Sequence, residues 1–121
     1  MNTENTKKLI EAFPALYRGY KKSPRESLMC FGFECGDGWF DLIWELSEKI
    51  TAIDPNCEAN QVKEKFGGLR FYILGSKEAQ DLALEYEEKS YSVCEMCGSD
   101  VDVKTGGKGW IQTLCGKCRN N

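Results

Sequence analysis

The 121-residue chain contains no histidine. That removes the commonest general base, the usual activator of serine and cysteine nucleophiles, and the commonest ligand of catalytic zinc. An enzyme built from this chain would have to use carboxylates, lysine or tyrosine, and no spacing of these singles out a catalytic pair. Long apolar runs are missing as well. None approaches the roughly 18 residues of a transmembrane helix, and the N-terminus lacks the charged-then-apolar layout of a secretory signal. Nor does one sign of charge dominate, since 16 Lys and Arg face 19 Asp and Glu for a net charge of −3. A generic duplex-DNA binder is basic overall. Any polyanion this chain holds must therefore meet a local patch.

Cysteine, by contrast, is abundant, with seven residues. Cys94-Glu95-Met96-Cys97 and Cys115-Gly116-Lys117-Cys118 stand 17 residues apart, the spacing of a four-cysteine zinc site. Each tight CxxC turn aims two thiolates at one point, and Zn²⁺ takes about four such ligands in a tetrahedron. Gly98 and Gly116 permit the backbone these turns need. The expectation is one structural zinc per chain, in a cytoplasm reducing enough to keep the thiols free. Such a closed set folds a module and leaves no open position for catalysis. Cys30, Cys35 and Cys57 read as buried free thiols, because a second site from them lacks a fourth ligand.

The hydrophobic fraction of 41% and charged fraction of 29% are ordinary for a globular protein. The pattern predicts an α+β fold of three helices, a central β-hairpin and a C-terminal Cys₄ zinc ribbon. The division is an α+β core over 1–92 and a ribbon over 93–121, together one compact unit. The first helix is expected over Thr6 to Tyr17, with Pro14 kinking or dividing it. Leu28 to Cys35 is apolar and aromatic, strand-like in its second half. Asp37 is placed to cap the clearest helix, in which Trp39, Leu42, Ile43, Leu46, Ile50 and Ile53 form a core-facing stripe. Asp54-Pro55 ends it. Gln61 to Leu74 reads as a hairpin, with Val62, Phe66, Leu69, Phe71 and Ile73 apolar and Gly67-Gly68 as the turn. Ser76 caps a third helix running to about Tyr91, with Ala79, Leu82, Ala83 and Tyr86 inward. No βαβ repetition is visible.

Charge is unevenly spread. Residues 1–35 carry six Lys and Arg against four acids, and 61–75 carry three against one, whereas 36–60 and 76–93 are acidic. Three places could carry recognition. On the hairpin, Lys63, Lys65, Arg70 and Tyr72 could grip a phosphorylated ligand, Arg70 by bidentate contacts and Tyr72 by stacking; the commoner use of such residues is a solvated strand face. At Phe33 to Trp39, amides meet a helix start where an anion could sit, although Asp37 supplies a negative charge there already. At the ribbon tip, Lys104 to Trp110, an exposed Trp beside Lys108 would suit a base or a partner protein, whereas a packed Trp is commoner.

Phe33-Glu34-Cys35-Gly36-Asp37-Gly38-Trp39, then Val62 to Tyr72 (VKEKFGGLRFY), then the knuckle and a final Trp-x₃-Leu-Cys resemble a group of short uncharacterised proteins of tailed bacteriophages and prophages. The resemblance spans roughly residues 28 to 118. It implies a bacterial-host cytoplasm and a viral accessory role; members that close the knuckle with histidine differ from this chain at Cys118. Proteins of that class commonly act by stoichiometric binding. The expected function is thus non-enzymatic interference with a host process, an anti-defence role included, by binding a host protein or sequestering a phosphorylated nucleotide. A nucleic-acid-associated regulator is the alternative, and the acidic balance weakens it.

Overall fold

The computed structural model describes residues 1–120. Helix α1 spans Thr3–Ala12, and the Asn2 side chain caps it by accepting the Asn5 N–H at 2.7 Å. It stops two residues short of Pro14, because the residue before a proline resists the α conformation; Phe13 sits at φ −128°. The expected helix over 6–17 is therefore shifted toward the N-terminus and not divided. The chain then runs through 3₁₀ turns at Arg18–Lys21 and Leu28–Phe31. The strand expected over 28–35 shrinks to β1, Phe33–Glu34.

A third 3₁₀ turn, Asp37–Trp39, leads into α2, Phe40–Ile53. Asp37 does not cap this helix. Its carboxylate instead accepts from the Asn2 N–H at 2.8 Å and the Asn5 side-chain amide at 3.2 Å, pinning the start of α1. Of the α2 stripe, Trp39, Ile43, Leu46 and Ile50 are fully buried, while Ile53 at the end faces solvent. Strands β2 (Glu58–Lys65) and β3 (Gly68–Leu74) form the antiparallel hairpin. β1 pairs parallel to β2, giving the order β1-β2-β3 and a single βαβ crossover through α2.

The hairpin turn lies one residue earlier than expected. Lys65 pairs with Gly68, so Phe66 (φ 54°) and Gly67 (φ 84°) are the two turn residues. Both positive φ values match the primed turns whose twist suits a hairpin. This register sends Val62, Leu69, Phe71 and Ile73 inward, and leaves Phe66 exposed where an apolar strand residue was expected. Helix α3, Lys77–Ser90, begins at the Ser76 cap and lies along the free edge of β3. There Ser90 Oγ accepts the Leu69 N–H at 2.9 Å, and the Gln80 side-chain amide donates to the Ile73 carbonyl at 3.1 Å. A covered edge cannot recruit foreign strands.

One buried cluster joins these elements, from Leu9, Leu16 and Tyr17 through the α2 stripe to the sheet and Ala79, Ala83 and Tyr86 of α3. Tyr17 packs edge-on against Phe33 and Phe71, and its hydroxyl pairs with Ser47 at 2.6 Å. Buried polar atoms need such partners. Cys35 and Cys57 are buried and Cys30 half-buried, all as free thiols. After α3 come β4 (Val103–Gly106), β5 (Gln112–Cys115) and the short α4 (Gly116–Arg119), with β4 and β5 paired antiparallel. No described helix is long and apolar enough to cross a membrane.

Candidate metal centre and its seat

Cys94, Cys97, Cys115 and Cys118 converge, with all four Sγ atoms within 4.8 Å of one another. Four sulfurs held about 2.3 Å from a tetrahedral metal would stand about 3.8 Å apart. Cys97 and Cys115 Sγ lie 3.6 Å apart, close to that edge length. Among the described residues this is the one grouping of three or more such side chains able to hold a metal ion.

The two halves are built differently. The first pair is a knuckle closed by Gly98 at φ 81°, whose N–H donates to the Cys94 carbonyl at 2.9 Å. In the second, Cys115 ends β5 and Cys118 lies in α4, one helical turn on. Gly116 is thus glycine for space, not for a left-handed backbone, since a Cβ there would strike the Asp102 carboxylate.

Backbone N–H groups make the site ready for anionic sulfur. Burial opposes ionisation of Cys94, but the amides of Cys115, Cys97 and Met96 outweigh it and bring the thiol down to about 6. The Cys118 amide lowers Cys115 in the same way. Hydrogen bonding to Cys115 first, then burial, pushes Cys118 up to about 12. All four are thiolates when a metal is bound.

The two most specific sequence strings turn out to be the seat of this module. In Gly36-Asp37-Gly38-Trp39, the Gly36 N–H donates to the Glu95 carboxylate at 2.8 Å and the Gly38 N–H to the Glu95 carbonyl at 2.7 Å. The Trp39 indole donates to the Val93 carbonyl at 2.9 Å. A Cβ on Gly38 would collide with the Cys94 carbonyl oxygen. In the hairpin, the buried Thr113 hydroxyl donates to the Gly67 carbonyl at 2.6 Å. Gly68 has no room for a side chain because the Tyr91 phenol fills its place. The amides at Phe33 to Trp39 that sequence offered to an anion are therefore taken up by the knuckle.

The hairpin cations are placed unequally. Lys63 stands opposite Arg70 in the sheet, and Gln61 opposite Tyr72, on the face away from the core. Tyr72 and Lys65 are exposed. Arg70 is not free: it pairs with Glu87 at 3.4 Å and the Tyr91 hydroxyl at 3.3 Å. A phosphate at this face would have to compete with α3 for the guanidinium.

Sequence reading missed a concave site. A cleft of about 590 Å³ lies between α1, the Arg18–Lys21 turn and Cys30 to Phe33. Its walls include the exposed residues Tyr20 and Phe31, Lys7 and Lys21, and Gly32 at φ 73°. A second hollow of about 360 Å³ shares Tyr20 and Lys21 and adds Arg18. The hint in the sequence is the aromatic-cation run Arg18-Gly19-Tyr20-Lys21-Lys22.

Fold and site together define a small α+β protein with a zinc-ribbon-like four-cysteine module docked on its core. No family model, curated protein or solved structure matches the chain.

Proposed function

We propose that this chain is a non-enzymatic accessory binding protein of tailed-phage or prophage origin. In this reading it acts in the bacterial cytoplasm, against host defence, by sequestering a phosphorylated nucleotide. Zinc is the metal: four thiolates in a tetrahedral arrangement suit it, and a closed set fits a structural duty. Zinc holds the ribbon, and the ribbon braces the helix start and hairpin that it touches.

The observation that carries the nucleotide reading is the cleft beside α1. Its volume falls in the range of small-ligand sites, about 300–1,000 Å³. Tyr20 and Phe31 offer faces for a base, and Lys21 offers charge for phosphate. The acid in its wall, Glu11, is opposed by Lys7 at 3.8 Å. This site serves the reading better than Lys63, Lys65, Arg70 and Tyr72, because Arg70 is committed to Glu87 and Tyr91.

The test is native mass spectrometry of protein purified from a bacterial host lysate. The expected species carries one zinc and one nucleotide-sized mass per chain, and Tyr20→Ala combined with Lys21→Ala abolishes only the second. A stoichiometric host protein in place of the nucleotide would overturn the small-ligand reading and leave a protein-surface inhibitor.

A further inference from the structure

Two exposed aromatic side chains have no packing reason to be where they are. Phe66 is 65% exposed and Trp110 is 70% exposed. Phe66 also holds φ 54°, a left-handed conformation that a bulky residue rarely adopts and that asparagine or glycine would take more easily. Strain without burial in return is a mark of function.

The two residues sit on hairpin tips that the fold pins together. Thr113 Oγ1 donates to the Gly67 carbonyl, and a Cβ on Gly67 would stand 2.8 Å from Thr105 Cγ2 and 3.3 Å from Ile111 Cγ2. Phe66 precedes Gly67 and Trp110 precedes Ile111, so each exposed aromatic is next in sequence to a residue of this contact. Lys65 precedes Phe66, and Lys104 and Lys108 lie on the ribbon, where Lys104 lines a groove with Trp110; all three are exposed and none is in an ion pair among the described residues. Lys65 Nζ lies 5.8 Å from the Phe66 ring centre. Residues 65–75 and 103–121 contain no Asp or Glu. The flanking acids are both engaged, Glu64 by the Gly67 N–H at 2.7 Å and Asp102 by Arg119 at 3.0 Å. A groove of about 440 Å³ runs along the ribbon between Lys104, Trp110 and Arg119.

We infer that the joined hairpin tips bind single-stranded nucleic acid, independently of the cleft beside α1. Bases stack on Phe66 and Trp110, while Lys65, Lys104 and Lys108 meet the phosphates. Three lysines make a short footprint, suited to a few nucleotides of a flexible strand. A duplex needs a broader cationic face than a chain of net charge −3 presents. A protein partner is disfavoured because lysine is depleted from protein interfaces.

The experiment uses full-length, metal-loaded protein and fluorescently labelled oligo-dT, oligo-U and duplex probes of about 12 nucleotides, a length within known site sizes. Anisotropy at low salt should show single strands binding more tightly than duplex; the two single-strand arms tell DNA from RNA. Trp110→Ala should weaken binding by roughly 5- to 150-fold on the stacking scale. Removing Lys104 or Lys108 should reduce the slope of log affinity against log salt by about 0.7 each. Phe66→Asn is the decisive variant, because asparagine suits the turn. It should keep or raise the urea midpoint while lowering affinity. Failure of every single-stranded probe to bind at low salt, or unchanged affinity in both aromatic variants, would overturn the inference. The Tyr20 and Lys21 variants should leave this binding intact, which separates it from the cleft.

Discussion

The Thr113 hydroxyl donates to the Gly67 carbonyl at 2.6 Å from a side chain with no solvent exposure, and joins β5 of the ribbon to the turn of the core hairpin. The same oxygen pairs with Thr105 at 2.7 Å. Thr113→Val keeps the shape but removes the donor, leaving the Gly67 carbonyl without its partner. The expected loss is about 1–3 kcal/mol, the cost of one buried unsatisfied group. Urea denaturation checks it; an unchanged midpoint would mean that the ribbon is not seated through this bond.

Gly38 is the corresponding point on the other side of the module. Its N–H bonds the Glu95 carbonyl, and a Cβ would run into the backbone of Cys94 and Glu95. Backbone cannot swing aside as a flexible side chain can, so Gly38→Ala should shift the first knuckle. Both stability and metal affinity should fall. A competition assay with a chromophoric chelator reads the second effect, and an affinity equal to wild type would show that the knuckle does not feel this contact.

These two contacts show why part of the molecule was legible and part was not. The metal cluster is written in local spacing, since each CxxC turn places its own two sulfurs and Cys94, Cys97, Cys115 and Cys118 need only meet. Helices α2 and α3 were legible because Ile43, Leu46 and Ile50, and Ala79, Ala83 and Tyr86, repeat at helical period. The purpose of the glycines was not. Gly36, Gly38 and Gly68 read as turn or anion-binding residues, whereas their missing side chains make room for Glu95, Cys94 and Tyr91; Gly67 is the turn residue it was read as, and also makes room for Thr113. No periodicity carries a contact between segments more than 20 residues apart. The Asp37 carboxylate misled for the same reason: it serves α1, 32 residues earlier at Asn5. The turn slipped by one because Gly67-Gly68 was the stronger dipeptide signal, while strand register, which keeps Val62 opposite Phe71 in the core, decided the matter.

Removal of one ligand tests what the cluster does for stability. Cys115 is buried and sits at the end of β5. Cys115→Ser should reduce bound metal to below about half an equivalent, because a structural site of this type needs its full ligand set. The core should still unfold cooperatively, at a lower midpoint, since Ile43, Leu46 and Ile50 lie in the core cluster and not in the ribbon. Elemental analysis and circular dichroism on the same sample give both readings. Full metal occupancy in the variant would rule out Cys115 as a ligand.

Cys35 supplies a pH dependence that can be isolated by substitution. Burial pushes its thiol from the ordinary value of 9.0 to about 12. The pKa is raised in the folded state, so the contribution is fully present below pH 9, where both states hold the proton. Between about 9 and 12 the unfolded chain releases that proton and the folded chain keeps it. Stability therefore falls as pH rises through this window. Other groups titrate there too, including Cys57, which burial pushes up to about 11. The useful quantity is thus the difference between wild type and Cys35→Ala. Alanine lacks the proton and leaves a small cavity, so the variant should be less stable at pH 7 and 8. Above pH 9 the gap should narrow, because only wild type loses the thiol contribution. Urea midpoints at pH 7, 8, 9.5 and 10.5 measure it, and a gap that stays constant across the series would show that Cys35 ionises as easily folded as unfolded.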